Sequence, residues 1–566
     1  MQPRSSLRSR AALPALLVAA AVALSASLPD ASAAPPAPQS FAVASESPGA
    51  TREAARVLTA GGNAFDAMVT ATLVSGFTNP ASSGLGGGGF VTLYSARDDK
   101  ALVLDFRETA PAAVDAAVLD QRPLPEDKRG QSVGVPGEVS GLFELHQRYG
   151  KTPWKDLVSR AARIAQQGFA IEPHTENQLG EQQASVLARS RTFKSTYFPA
   201  GAAAKAGSQV RAVKLAATLR AIADRGKRGF YEGPVAQDVI ATVKAAGGSM
   251  TLADLSQYKT VQREPLRVRW EGREIVTMPA PSAGGLLLAQ TLALFSRAEL
   301  TSLSDAPGKR IHLLAEAMRG AFADRMRHVT DPDHGAVDFA KLLAPERMQR
   351  RKALLSPERT HTQPRYGLEE HGTHQLLTAD GEGNWVALVS TVNAPFGAKL
   401  MAEQSGVILN NELEDFTPPA SLAPFGMSEN PNRVRPGARP VSSMAPTLVL
   451  EQGKPVLALG GSGGTTIAPN IAQVTLALLT DEGLSPEDAV KAPRFAIPPP
   501  RSGFTLSLEA ALAGPYAKDL EARGELLMTR DWKNAVQVIS RRKGVFAAAA
   551  DPRKQGLAEV MNAPAQ

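Results

Sequence analysis

Thr373 stands where a polar, patternless run from Ser356 to Gly372 gives way to apolar alternation, at the head of T-H-Q-L-L-T-A-D-G-E-G-N-W-V-A-L-V-S-T-V-N (373–393). A backbone cut at that boundary would leave the threonine as a chain terminus with two reactive groups. Its hydroxyl is a nucleophile, and its freed α-amine, titrating at about 8, accepts the hydroxyl proton. A lone threonine is more often a strand former, so this chemistry needs partners elsewhere in the chain.

Candidate partners fall into two sets. Gly460-Gly461-Ser462-Gly463-Gly464-Thr465 lies between a predicted strand and a predicted helix. There backbone amides either converge on a negative oxygen or simply make a tight turn. The second set concerns charge. Asp105-Phe106-Arg107-Glu108 puts a guanidinium fork, the natural partner of a carboxylate, at a strand end. Asn410-Asn411-Glu412-Leu413-Glu414-Asp415-Phe416 places Glu412 and Asp415 three apart, on one face of a turn or helix start, where they would grip an ammonium. Singly, each fits a solvated surface charge; together they predict an amino-acid-like zwitterion as ligand.

Other motifs carry less. Gly84-Leu85-Gly86-Gly87-Gly88-Gly89 lacks the Gly-Lys-Ser/Thr ending of a phosphate loop and opens no helix. His371 and His374 flank Thr373 without zinc spacing, and Asp331-Pro332-Asp333-His334 reads as a turn. Neither a cofactor nor a metal is expected.

The elements that must position these residues are legible as patterns. Helical spacing runs through 50–60, 63–77, 137–149, 155–168, 213–225, 233–246, 307–325 and 467–482. Alternation predicts hairpins around Arg97-Asp98-Asp99-Lys100 and within 265–278, the 373–393 hairpin, and strands at 405–409, 446–451 and 456–459. The chain reads as a helix-rich first half and a strand-rich second half. The proline- and asparagine-rich loop from Phe416 to Arg439 is long enough to be a lid.

Composition narrows the partners. Residues 1–33 read as a secretory signal peptide: Arg4, Arg8 and Arg10 precede an apolar run, and Ala31-Ser32-Ala33 offers a cleavage site. Localisation is expected to be periplasmic or secreted, with no membrane span left after signal removal. Without these residues the formal charge falls from +7 to +5, and no aromatic-interleaved basic patch appears, so no nucleic-acid partner is expected. With no cysteine in the chain, disulfides, thiolate metal sites and cysteine nucleophiles are excluded.

From about Ala42 to Arg553 the chain resembles the γ-glutamyltransferase (γ-glutamyltranspeptidase) family. The resemblance rests on G-G-N-A-F-D-A-M (61–68), S-S-G-L-G-G-G-G-F (82–90), D-F-R-E-T-A-P (105–111), the Thr373 hairpin, E-Q-S-G-V-I-L-N-N-E-L-E-D-F (403–416), R-P-V-S-S-M-A-P-T (439–447), G-G-S-G-G-T-T (460–466) and A-D-P-R (550–553). It implies an α+β fold, the four-layer αββα sandwich of the N-terminal nucleophile hydrolases, made as a proenzyme that cuts itself between Gly372 and Thr373. The products would be a large subunit, 34–372, and a small catalytic subunit, 373–566.

Carried over residue by residue, the resemblance makes Thr373 the nucleophile and Thr391 its hydrogen-bonding partner. Asn393 becomes a substrate-contacting amide, and Gly463 and Gly464 the oxyanion donors. Arg107, Ser442 and Ser443 would hold a glutamyl α-carboxylate, and Glu412 and Asp415 its α-ammonium. The implied activity is cleavage of the γ-glutamyl amide of glutathione and related compounds through a threonine ester, with transfer to water or to amino acids and peptides. A related acylase taking glutaryl or cephalosporin-type amides, and an inactive exported binding protein, are the alternatives. The chain departs from the family pattern at Gln375 and Leu377, where histidine and serine or threonine are usual, and at Phe425, near the family's lid tyrosine. The last change predicts easier entry of water and more hydrolysis than transpeptidation.

Overall fold

The computed structural model describes residues 40–182, 185–361, 373–422, 426–497, 505–530 and 534–563. Its two large sheets are built from β1 (Phe41–Ser45), β2 (Gly88–Ser95), β3 (Lys100–Phe106), β4 (Val261–Arg263), β5 (Leu266–Trp270), β6 (Arg273–Thr277), β7 (His374–Asp380), β8 (Trp385–Thr391), β9 (Thr447–Glu451), β10 (Lys454–Ser462), β11 (Ala535–Arg542), β12 (Val545–Ala549) and β13 (Leu557–Met561). One seven-stranded sheet has the order β13-β1-β7-β8-β2-β3-β4, and a six-stranded sheet the order β12-β11-β10-β9-β6-β5. Every neighbouring pair in the two sheets is antiparallel.

Strand alternation sorts the core into three apolar layers. On β7 and β8, Leu376, Val386 and Leu388 point outward into the cluster shared with the helices Pro48–Thr59 (α1) and Ala64–Thr78 (α2). Leu377, Ala379, Trp385 and Ala387 point the other way and meet Leu448, Leu450, Ala458 and Ile539 of the second sheet. Leu457, Leu459, Val536 and Val538 face a third layer, closed by the helices Gly284–Leu294 (α3), Pro307–His328 (α4) and Ile467–Thr480 (α5). Helix, sheet, sheet, helix is the expected αββα sandwich.

The segments on either side of the 372/373 boundary are interleaved rather than stacked side by side. Residues before it supply β1 to β6, those after it β7 to β13, and both sheets draw on both. The central hairpin pairs β7 with β1 and β8 with β2, placing Leu377 opposite Ala44 and Thr391 opposite Gly88. The glycine run ahead of β2 serves this packing, since a Cβ on Gly87 would sit 2.0 Å from the Thr391 carbonyl oxygen. Among the described residues, no helix is long and apolar enough to cross a membrane.

Asp380 locks the hairpin to the helical layer. Its buried carboxylate accepts from the backbone N of Ala64 at the start of α2 (2.8 Å), and from the backbone and side-chain amides of Asn384 (2.9 Å each). Asp380→Ala strands these buried donors, each costing about 1–3 kcal/mol. We expect a loss of about 3 kcal/mol in urea unfolding; a loss below about 1 kcal/mol would contradict this role.

Candidate active site

Thr373 is buried immediately before β7, on the inner side of the seven-stranded sheet with Gln375 and Leu377. The ladder to β8 begins one residue later, at His374 opposite Ser390. Instead, the Thr373 carbonyl accepts from Lys554 Nζ at 3.1 Å. The same ammonium donates to Ser462 Oγ at 2.7 Å, and Ser462 ends β10 directly before Gly463 and Gly464. These two glycines take positive φ angles of 124° and 63°, which L side chains rarely adopt, and a Cβ on Gly463 would lie 2.4 Å from Asn534 Cβ. Thr373 and the turn at Gly463 and Gly464 are thus tied together through one ammonium.

The departures near Thr373 are absorbed by packing. Gln375 fills the space over Gly460, where a Cβ would come within 2.2 Å of the whole side-chain amide group. Leu377 belongs to the apolar layer between the sheets. His374 faces away from that layer; its Nδ1 is 3.0 Å from Asn79 Nδ2. Burial, then the nearby Lys554 charge, holds its pKa well below the ordinary range, so the ring is neutral. His371, Gly372 and Phe425 lie outside the described residues.

On the neighbouring strand, at the same open end of the hairpin as Thr373, Thr391 Oγ1 accepts from the backbone N of Asn393 at 2.8 Å. Asn393 adopts a left-handed conformation, φ 68°, and donates from Nδ2 to the Asn411 carbonyl at 3.1 Å. Asn411 in turn accepts from Ala394 N and donates its own backbone N–H to the Val392 carbonyl. These bonds hold the Glu412–Asp415 helical turn against the end of β8. Asn410 completes the splice: its amide donates to the carbonyls of Gly86 (2.7 Å) and Gly134 (2.8 Å), and its oxygen accepts from Gly134 N and Glu412 N. The sequence singles out this motif for its acids; the two asparagines that place them gave no signal beyond lying next to them.

Arg107 does more than the sequence suggests. All three charges of the clamp are buried, and the guanidinium binds Glu412 Oε1 through Nη1 and Asp415 Oδ2 through Nη2 at 2.5 Å. The sequence predicts separate ends for a ligand's carboxylate and ammonium; in the fold the two ends touch, because charges removed from water need partners within the protein. Nε of Arg107 also donates to the Pro440 carbonyl at 3.2 Å, just ahead of Ser442 and Ser443. Ser442 Oγ accepts from Met444 N at 3.1 Å, and Ser443 Oγ accepts from Arg325.

Glu108 is a residue that sequence reasoning left without a role. Burial pushes its carboxyl up to about 8 against the opposing charge of Arg107. Burial likewise holds Glu412 well above the usual range, with Arg107 opposing and Glu108 and Asp415 reinforcing the shift. Asp331 and His334 form the expected turn, His334 Nδ1 to Asp331 Oδ2 at 3.1 Å, and Asp331 accepts from Arg439 N. No group of three or more acids and histidines able to hold a metal occurs among the described residues.

A family model described as gamma-glutamyltranspeptidase matches residues 50–561. The chain belongs to that family. It is 36% identical over 541 residues to a glutathione hydrolase proenzyme of Pseudomonas aeruginosa, covering 92% of this chain and 94% of that one. A γ-glutamyltranspeptidase of Pseudomonas nitroreducens, solved with L-DON, is 35% identical with a TM-score of 0.51, and the match covers 56% of this chain and 94% of that chain. A cephalosporin acylase of Bacillus halodurans superposes with a TM-score of 0.80 over 92% of this chain and 96% of its own, but at 24% identity it speaks only to the fold. The chain is thus an enzyme of the γ-glutamyltransferase and glutathione hydrolase family, with the N-terminal nucleophile hydrolase architecture.

Glu108 has a consequence for stability. An acid raised in the fold keeps its proton there while the unfolded chain loses it near the ordinary 4.5, so stability falls as pH climbs from 4.5 to about 8. Glu108→Gln removes that titration. The decline of Tm across this interval is expected to be shallower in the variant, as followed by calorimetry; parallel curves would contradict the assignment.

Proposed function

We propose that this protein is a self-processing γ-glutamyl hydrolase and transferase that cleaves glutathione-like γ-glutamyl amides with Thr373 as nucleophile. The observation that carries the reading is the buried Arg107–Glu412–Asp415 clamp, joined through Asn411 and Asn393 to the end of the hairpin that Thr373 begins. A glutamyl head group matches this charge pattern. Its α-carboxylate competes with Glu412 and Asp415 for Arg107, assisted by Ser442 and Ser443, while its α-ammonium takes over the two acids. Each charge removed from water then keeps a partner.

In the proposed reaction, a cut between Gly372 and Thr373 divides the precursor into 34–372 and 373–566 and frees the Thr373 amine. The amine takes the hydroxyl proton as Oγ attacks the γ-carbonyl, and the amides of Gly463 and Gly464 receive the developing oxyanion. Collapse expels the amine portion of the donor, protonated by the Thr373 ammonium, and leaves a γ-glutamyl ester on Oγ. Water or the amine of an amino acid or peptide then attacks the ester, with the Thr373 amine again as base. Thr391 and Asn393 hold this end of the site. The coverage by the Pseudomonas nitroreducens chain, little more than half of this polypeptide, suits a precursor delivered as two pieces. The leader at 1–33 supports export to the periplasm or beyond.

A glutaryl-amide acylase is less well supported, since a glutaryl group has no ammonium for Glu412 and Asp415. Purified protein should run as two fragments under denaturing conditions, the smaller beginning Thr-His-Gln. Thr373→Ala should remain a single chain without turnover of a chromogenic γ-glutamyl anilide; turnover by an uncut chain would refute the proposal. Arg107→Ala should lower kcat/KM by at least about 100-fold, as loss of a charge-assisted pair of about 3 kcal/mol requires.

A further inference from the structure

Lys554 is a buried cation that the reaction above does not use. It follows the A-D-P-R motif in a short turn whose orientation is fixed by charge: Asp551 accepts from Val536 N (3.0 Å) and pairs with Arg494, and Arg553 pairs with Glu509 at 2.6 Å. The turn aims Lys554 inward, where its three protons meet three acceptors from distant segments. These are Glu46 Oε2 at 2.9 Å, Thr373 O at 3.1 Å and Ser462 Oγ at 2.7 Å. Glu46 is sealed from solvent just after β1. In the processed enzyme it would belong to the other fragment, so the ion pair would bridge the two pieces beside the nucleophile.

We propose that Lys554 is a positioning residue for Thr373, fixing the nucleophile's carbonyl and the entry to the oxyanion loop with one ammonium anchored by Glu46. The inference rests on Thr373 being the nucleophile. A residue that becomes a chain end is prone to fray, and Thr373 lies outside the β7–β8 ladder. The Lys554 bond supplies the tether that the ladder does not. Because the ammonium also holds Ser462, the distance from Thr373 to Gly463 and Gly464 is set at a single point. Displacement there affects the attack more than the binding of the glutamyl head group, whose clamp is built from other residues.

The test is Lys554→Ala, with kcat and KM measured on the chromogenic γ-glutamyl anilide and self-cleavage followed by electrophoresis. We expect slowed self-cleavage and a kcat lowered about 10- to 100-fold, with KM changed by less than about threefold. Ethylammonium, which fits the vacated stem and carries the charge, should restore kcat in a saturable manner. If an unpaired Glu46 prevents folding, the double variant Glu46→Gln/Lys554→Met, which leaves no buried charge unpaired, decides the matter by the same loss of kcat. A folded variant that cuts itself and turns over at the parental rate, or one whose loss lies in KM, overturns the role of Lys554. Turnover surviving in Thr373→Ala instead overturns the nucleophile assignment beneath it.

Discussion

A guanidinium enclosed between two carboxylates and cut off from water sets the terms for much of this structure. Arg107 cannot be desolvated alone, and neither can Glu412 and Asp415, so the chain must bring a strand end and a distant helical turn together. The carbonyls of Pro440 and Val441 take up remaining donors of Arg107. Behind this set, Asp105 accepts from Arg107 N and pairs with Arg263 at 2.6 Å, while Arg439 and Asp331 extend the alternation of charge toward the surface. The buried ion pairs are therefore the reason the strand end and the helical turn meet.

The position of Thr373 depends on a different constraint, the close approach of two sheets. The inner faces of β7 and β8 carry Leu377, Ala379, Ala387 and one large ring, Trp385, where they meet the second sheet, and Gly460 leaves room for Gln375. Thr373 sits at the margin of this dry layer, beside the loop that turns out of β10. A sandwich whose strands come from both sides of the 372/373 boundary keeps its shape after a cut there, because the ladders β1–β7 and β2–β8 cross from one fragment to the other. In this fold, a cut at that boundary would release an amine while the ladders across it still held the core.

Much of this was legible as pattern. The helical spacing at 50–60, 213–225 and 307–325 corresponds to Pro48–Thr59, Val213–Arg225 and Pro307–His328, because an amphipathic stripe repeats with the helix. The spacing left Gly284–Leu294 unassigned. That helix is buried along nearly its whole length, so its apolar run shows no periodicity to read. Strands β11, β12 and β13 went unread for another reason: their partners lie across the chain, and short alternating stretches are fixed by pairing more than by composition.

Of the site, the sequence by itself determined the residue types: a threonine at the head of a hairpin, a glycine loop after a strand, an arginine and two acids three apart. Hydroxyl, backbone amide and charge are properties of the residues and survive any arrangement. Only the tertiary structure decided that Arg107 binds Glu412 and Asp415 directly, that Glu108 keeps its proton, that Asn410 and Asn411 join the clamp to the hairpin, and that Lys554 reaches Thr373. Each of these follows from burial and from contacts beyond local range, whether 17 residues between Ala394 and Asn411 or 305 between Arg107 and Glu412, and neither desolvation nor distance is written in local spacing.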